Sequence, residues 1–502
     1  MKGGNIMSIQ PEIKRAENLS GFNFIAKNAV ECKVNMGDKE SASEVFTTAR
    51  VCLTFAECQK NEVRYGGKVI FNVVHGTEGL KKTEAGVEFS YKTEVQGADV
   101  GDILSCDVWV ENVKLLVVNG LPTLSAAVVL SGRVEKSEEF EYLRNCDKIN
   151  CKKEEFENSS IIFNERKTFS LEEEFDTPTI IGEVLSHVEN VKILGVLCGI
   201  GAVSISGEVE LSMLNLIGEE DRPVCHKEII PFRFEHEIQK AMPDLTAIST
   251  ASLSDVNLKI VVDKNKDKST VFLHADVVLN TKLYETKQLS YTVDAYSVKN
   301  ELSFDKGTQK LVRINGQRCI QNQTLCDGIS KTSQNSRLIA PIFVKIEQTD
   351  IKCALGELEV SGVAEVGLLM QGENGFEVQT SNVPFTLSDK ISCDKVDISS
   401  IVASNLVASE KDGFVSVCFN LLLTVEERDE KSITYIINVT EGEEKHVNTS
   451  AISVCIPKKS DSLWELSKAL GVSEEEIIST NPDLNFPLSG EERVIVYREI
   501  KN

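Results

Sequence analysis

The residue types able to do chemistry are present in this chain, but their spacing gives none of the usual catalytic patterns. The six histidines (His75, His187, His226, His236, His274 and His446) are scattered, with no His-x-x-x-His or His-Glu-x-x-His spacing to place two imidazoles on one metal. Gly199-Ile200-Gly201-Ala202-Val203-Ser204 lacks the third glycine of a dinucleotide loop and lies among strand-like runs, so it reads as a turn. No Gly-x-Ser-x-Gly elbow and no Gly-Lys-Ser/Thr phosphate loop occurs. Fourteen cysteines run from Cys32 to Cys455. Closely spaced pairs such as Cys146 with Cys151 and Cys319 with Cys326 lack the two-residue gap of a zinc knuckle. Most of the cysteines, including Cys198, Cys353, Cys418 and Cys455, therefore read as thiols used as small apolar side chains. The expectation is a non-enzymatic chain with no catalytic residue, metal or cofactor.

Recognition chemistry concentrates instead near the C-terminus. Residues 451–456 alternate like a strand. Ser462-Leu463-Trp464-Glu465 then has the Ser-x-x-Glu form of a capping box and opens a helix carrying Leu463, Trp464, Leu466 and Leu470, which Gly471 ends. A second box, Ser473 to Glu476, opens another helix with Ile477 and Ile478 inside, and Asn481-Pro482 closes it. Residues 493–498, with Val494, Ile495 and Val496, read as a closing strand. The order is strand, helix, helix, strand over residues 448–500, with Trp464 expected in the core.

The rest of the chain repeats itself. Residues 51–74, 87–95 and 106–135 share order and apolar pattern with 180–216, 228–238 and 254–285, and again with 339–370, 381–391 and 402–427. Gly67, Gly207 and Gly362 lie 140 and 155 residues apart, and Phe89, Phe232 and Phe385 follow them by 22, 25 and 23 residues. Within each copy the apolar period is two, as in Val209, Leu211 and Met213 or Val415, Val417 and Phe419. Turn-like stretches at 119–120, 263–269 and 410–413 separate the strands. The fold class expected is mainly β: three tandem antiparallel β-sandwich or barrel-like repeats at 20–145, 160–300 and 320–440, followed by a small α+β domain. Polar stretches at 152–158, 171–176 and 305–322 read as linkers, and the whole as a semi-rigid rod.

With 77 acidic against 54 basic side chains, the formal charge is −23. The basic pairs Lys81-Lys82, Lys152-Lys153 and Lys458-Lys459 are short and isolated, which excludes a phosphate-tracking nucleic-acid binder. No apolar run is long enough for a signal-peptide core or a membrane span, so a cytoplasmic location is expected.

The stretch from Ser460 through Leu466, with Ser473–Ile477, Thr480–Leu484, Leu488 and Gly490, resembles a LysM domain, although Ser460 stands where that family usually has glycine. LysM modules bind N-acetylglucosamine-containing glycans in a groove. The resemblance implies one lip from Asp461, Ser462 and Leu463, and the other from Asn481, Pro482, Asp483 and Leu484. The middle repeat, from residue 180 through Ser206-Gly207, Pro231-Phe232 and the closing 291–297, is similar to a SPOCS domain, and the outer repeats are more divergent. SPOCS modules followed by one LysM are the layout of clostridial spore-coat assembly proteins. That layout implies a scaffold of endospore coat assembly in the mother-cell cytoplasm, at the forespore surface or spore coat, whose partner is the coat basement-layer ATPase, a spore-coat morphogenetic protein. The alternative implied is a peptidoglycan-binding protein of the cortex or wall.

Overall fold

The computed structural model describes residues 9–36, 44–76, 79–218, 221–263, 267–331, 333, 335–354, 356–373, 375–445 and 452–497. His446 and residues 264–266, the middle of one expected turn, lie outside these. The chain is mainly β, with two short helices near its end.

The first repeat holds β1 (Pro11–Lys33), β2 (Glu44–Gln59), β3 (Glu62–His75), β4 (Lys81–Glu94), β5 (Ile103–Val118) and β6 (Leu121–Cys146). The second holds β7 (Asn150–Thr177), β8 (Ile181–Cys198), β9 (Ala202–Ile217), β10 (Arg222–Glu237), β11 (Thr246–Asp263) and β12 (Lys268–Tyr296). The third holds β13 (Asn300–Ser330), β14 (Arg337–Ala354), β15 (Glu357–Gly372), β16 (Gly375–Lys390), β17 (Lys395–Lys411) and β18 (Phe414–Glu444). Each repeat forms the same two antiparallel three-stranded sheets, ordered β1-β6-β5 and β2-β3-β4 in the first. The alternating apolar residues of the two sheets share one core, as Val69, Phe71, Val128 and Leu130 do in the first repeat. Hairpin ends follow turn chemistry: Asn119-Gly120 and Asp412-Gly413 each place two successive residues at positive φ, between β5 and β6 and between β17 and β18.

The landmark glycines and phenylalanines face each other. Gly67 pairs with Phe89, Gly207 with Phe232 and Gly362 with Phe385 on adjacent strands. A Cβ on these glycines would fall 2.0, 2.2 and 2.1 Å from the carbonyl oxygens of Cys52, Lys192 and Gln348. Each of the strands carrying those carbonyls has a β-bulge close to that level, at Leu53/Phe55, Ile193/Gly195 and Ile346/Gln348. Glycine is required because the bulged strand approaches too closely for any side chain, and in the second and third repeats the phenylalanine ring covers the vacated site.

Two expectations are corrected. The stretches 152–158 and 171–176 are not linkers but parts of β7, and 305–322 is part of β13. Their polar look comes from outward Glu and Lys on edge strands, whose other face buries Leu171 in the second repeat's core and Leu311, Val312 and Ile314 between repeats. Nor is the molecule a rod, because each repeat touches both others. Phe46, Val74 and Leu80 of the first repeat pack with Leu185, Leu214 and Leu216 of the second and Ala340, Ile342 and Leu369 of the third. A second hub joins Tyr142, Leu289, Tyr291, Leu311, Ile433 and Tyr435. The physical cause is that β6, β12 and β18 run on beyond their own sandwiches, and their apolar residues there are buried against counterparts in the other repeats.

The C-terminal unit comprises β19 (Ile452–Cys455), α1 (Leu463–Leu470), α2 (Glu474–Thr480) and β20 (Val494–Tyr497), with β19 and β20 paired antiparallel. Among the described residues no helix is long and apolar enough to cross a membrane.

Candidate functional site

In the C-terminal unit both helices begin as their sequences dictate. The Ser462 hydroxyl accepts the Glu465 N–H at 3.3 Å, and the Glu465 carboxylate accepts the Ser462 N–H at 2.9 Å. Ser473 and Glu476 repeat the exchange at 3.2 and 2.8 Å. Gly471, at φ 63°, ends α1 in the left-handed region. Leu466, Val472, Ile477, Leu488, Val494 and Val496 form the unit's own core.

Of the seven residues expected to form the two lips, most are engaged within the unit. The Asp461 carboxylate accepts the Lys458 N–H at 2.8 Å, and Ser462 serves as the cap of α1. Asn481 donates to the carbonyls of Ile477 and Ile495 at 2.9 and 2.7 Å and accepts the Ile495 N–H at 2.7 Å, clamping the end of α2 to β20. Leu463 and Leu484 pack on the unit's core. Of the seven, only Pro482 and Asp483 are exposed. Ser460 sits at φ 72°, the left-handed conformation for which glycine is suited, and its N–H donates to the Leu488 carbonyl at 2.8 Å. Beside it, the Glu492 carboxylate accepts the N–H groups of Ser489, Gly490 and Glu491 at 2.8, 2.9 and 3.1 Å, and hydrogen bonds led by that from the Ser489 N–H hold its pKa down to about 2.

Trp464 is not in the unit's own core, contrary to expectation. Its ring meets Tyr296 of the second repeat edge-on, with centroids 5.0 Å apart. Its Nε1 donates to Asp294 Oδ2 at 2.9 Å, and Lys468 Nζ reaches both Asp294 oxygens at 2.7 Å. The Tyr296 hydroxyl donates to the Val472 carbonyl at 2.9 Å. Burial works to raise the Asp294 pKa, but the Lys468 and Trp464 hydrogen bonds outweigh it and hold the carboxyl below its ordinary range. The sequence carried an unread signal here: Trp464 and Lys468 are four apart on one helix face, and Asp294 and Tyr296 are two apart on one strand face.

The other face of the unit is apolar and open. Cys455, Val494 and Val496 point toward the helices, so alternation turns Ile452 and Val454 outward with Tyr497. With Ile456 these side chains are 58, 62, 60 and 70% exposed, in the order Ile452, Val454, Tyr497, Ile456.

Elsewhere the histidines stay dispersed. His236, fully buried, holds Glu165 at 2.7 Å, and His187 pairs with Glu189. Among the described residues no group of three or more His, Cys, Asp or Glu side chains could hold a metal ion. The fourteen cysteines are free, and burial pushes the Cys58 and Cys146 thiols up to about 11 and Cys106 to about 12, which keeps them protonated. Set against protein-family models, the curated proteins and the solved structures, the chain matches none.

Proposed function

We propose that this chain is a non-enzymatic scaffold that holds a protein partner through its C-terminal unit, with the three-repeat body as its platform. The observation that carries the reading is the open strip of Ile452, Val454, Ile456 and Tyr497. A contiguous apolar face suits a protein surface, because burying it is favourable and needs no polar match. The expected sugar lips point the same way, since Asp461, Ser462 and Asn481 spend their side-chain polar atoms on the unit itself. Joined to the resemblance to SPOCS and LysM modules, this makes the partner the coat basement-layer ATPase and the setting endospore coat assembly in the mother cell, at the forespore surface. The charge of −23 favours basic or uncharged partner surfaces over polyanions.

The exposed Pro482 and Asp483 favour a second reading, in which the unit takes N-acetylglucosamine glycans of cortex or wall. Parallel calorimetric titrations of the full chain with the purified coat ATPase and with an N-acetylglucosamine oligomer separate the two. Heat with the ATPase and none with millimolar oligomer is expected. Heat with the oligomer alone overturns the scaffold reading in favour of the glycan one.

A further inference from the structure

Where the three repeats meet, a cavity of about 1160 Å³, partly open to solvent, is lined by all three. Matching positions show how its floor is built. The runs starting at Val128, Val277 and Leu421 are equivalent, and fourteen residues after each comes Tyr142, Tyr291 or Tyr435 of the second hub. Five residues after each start lie Arg133, Lys282 and Glu426, all lining the cavity. The third repeat thus puts a carboxylate where the other two put cations.

Those cations are already neutralised. Arg133 pairs with Glu135 at 3.3 Å and Asp397 at 3.4 Å, and Lys282 pairs with the same Glu135. Higher on the wall Arg50 pairs with Glu189 at 3.2 Å, and Lys192 with Glu208 at 3.0 Å. Arg166 donates to the Leu53 carbonyl at 2.9 Å, and Lys345 lies 4.8 Å from the Phe343 ring centre. Two carboxylates, Asp107 and Glu426, stand outside these ion pairs. Asp107 of β5 lies on the cavity wall with its side chain exposed to that space, and its carboxylate accepts the Val108 N–H at 2.8 Å. Buried Glu426 accepts a 3.2 Å bond from the Ser399 hydroxyl and, among the described residues, has no ion pair, while Lys282 is spent on Glu135. Burial raises the pKa of both, and for Glu426 the nearby Glu135 and Asp397 add to burial against the attraction of Lys282. Between them the wall offers methylene-sized apolar surface from Leu53, Val256, Ile346 and Ile401, and the aromatic face of Trp109.

We propose that this central cavity is a binding site for an aliphatic oligo-amine, with one ammonium on Asp107, another on Glu426, and the methylene chain along the apolar wall. Register places Asp107 opposite Ser131 of β6, two residues from the level shared by Arg133 and Glu426, or about 7 Å along the strands. Two carboxylates at different levels on the walls of different repeats suit a flexible chain with separated charges better than a single compact ion. Occupancy ties the first repeat to the third, so the ligand also stabilises the three-way body.

Titration of the full chain with spermidine, in about 0.15 M salt to suppress attachment to the acidic surface, tests the site. Saturable binding with a rise in Tm is expected. Asp107→Asn and Glu426→Gln are each expected to weaken it about tenfold or more, as loss of one charged partner of an ion pair does. Asp483→Asn, on the outer surface, is expected to leave it unchanged. No saturable binding at millimolar spermidine overturns the proposal. So does binding that survives both interior variants, which would mark attachment to surface charge alone. Circular dichroism of each variant confirms that the fold is kept.

Discussion

At the level of single residues, the clearest strains are Ser460 and Glu426. Ser460 adopts φ 72°, which costs a residue with a Cβ roughly 1 kcal/mol. Ser460→Gly is expected to stabilise the C-terminal unit by up to about 1 kcal/mol in denaturant unfolding, the greater freedom of glycine in the unfolded chain taking back part of the gain. Glu135 and Glu426 sit in one buried cluster yet titrate in opposite senses. Burial opposes the Glu135 charge, but Lys282 and Arg133 overcome it and lower its pKa. Its stabilising contribution is therefore present above the ordinary carboxylate range and is lost as pH falls through the lowered value. Glu426, raised by burial, contributes stability below that range and loses it as pH rises through the raised value. At neutral pH Glu135→Gln is expected to cost about 3–5 kcal/mol, because it strands Lys282. Glu426→Gln is expected to raise Tm at pH 7 and to have little effect at pH 4. Melting curves across that range check both, and a lowered Tm for Glu426→Gln at pH 7 would contradict the assignment.

Among elements, the glycine, phenylalanine and bulge set is what the repeat pattern expressed. The spacing of Gly67, Gly207 and Gly362 was readable because each must face a close backbone oxygen, a demand no other residue meets. Gly207→Ala is expected to destabilise by about 1–3 kcal/mol as the bulged strand is forced away, and chemical denaturation checks it. The capping boxes of α1 and α2 were readable for a similar local reason. The edge strands β7 and β13 were not, because their outward polar faces mimic linkers and their inward faces bury against distant chain. The expected lip residues could be named from sequence without disclosing that Asn481 is spent on β20, since those bonds depend on a strand fourteen residues away. The Trp464 contact with Asp294 and Tyr296 joins residues about 170 apart, and only the folded molecule shows it. Asp294→Ala is expected to release α1 from the second repeat, seen as faster hydrogen exchange across Leu463–Leu470, with the exchange of β9 unchanged.

At the scale of the whole molecule, the three repeats close on one another around two apolar hubs and a polar cavity, and the C-terminal unit is fixed to the second of them. This arrangement holds the strip of Ile452, Val454, Ile456 and Tyr497 at the surface on a firm base. Preorganisation of that kind lowers the ordering cost of gripping a partner, as the proposed scaffold role requires. The most direct measurement is the affinity of the coat basement-layer ATPase for the full chain and for its Val454→Lys, Ile456→Lys double variant. Both positions are exposed, so the variant keeps its fold. The expected result is tight binding by the native chain and a loss of about 3 kcal/mol or more in the variant, as central apolar anchors are replaced by charge. Equal affinity in the two, with the fold of both confirmed, would contradict the assignment of this face as the docking surface.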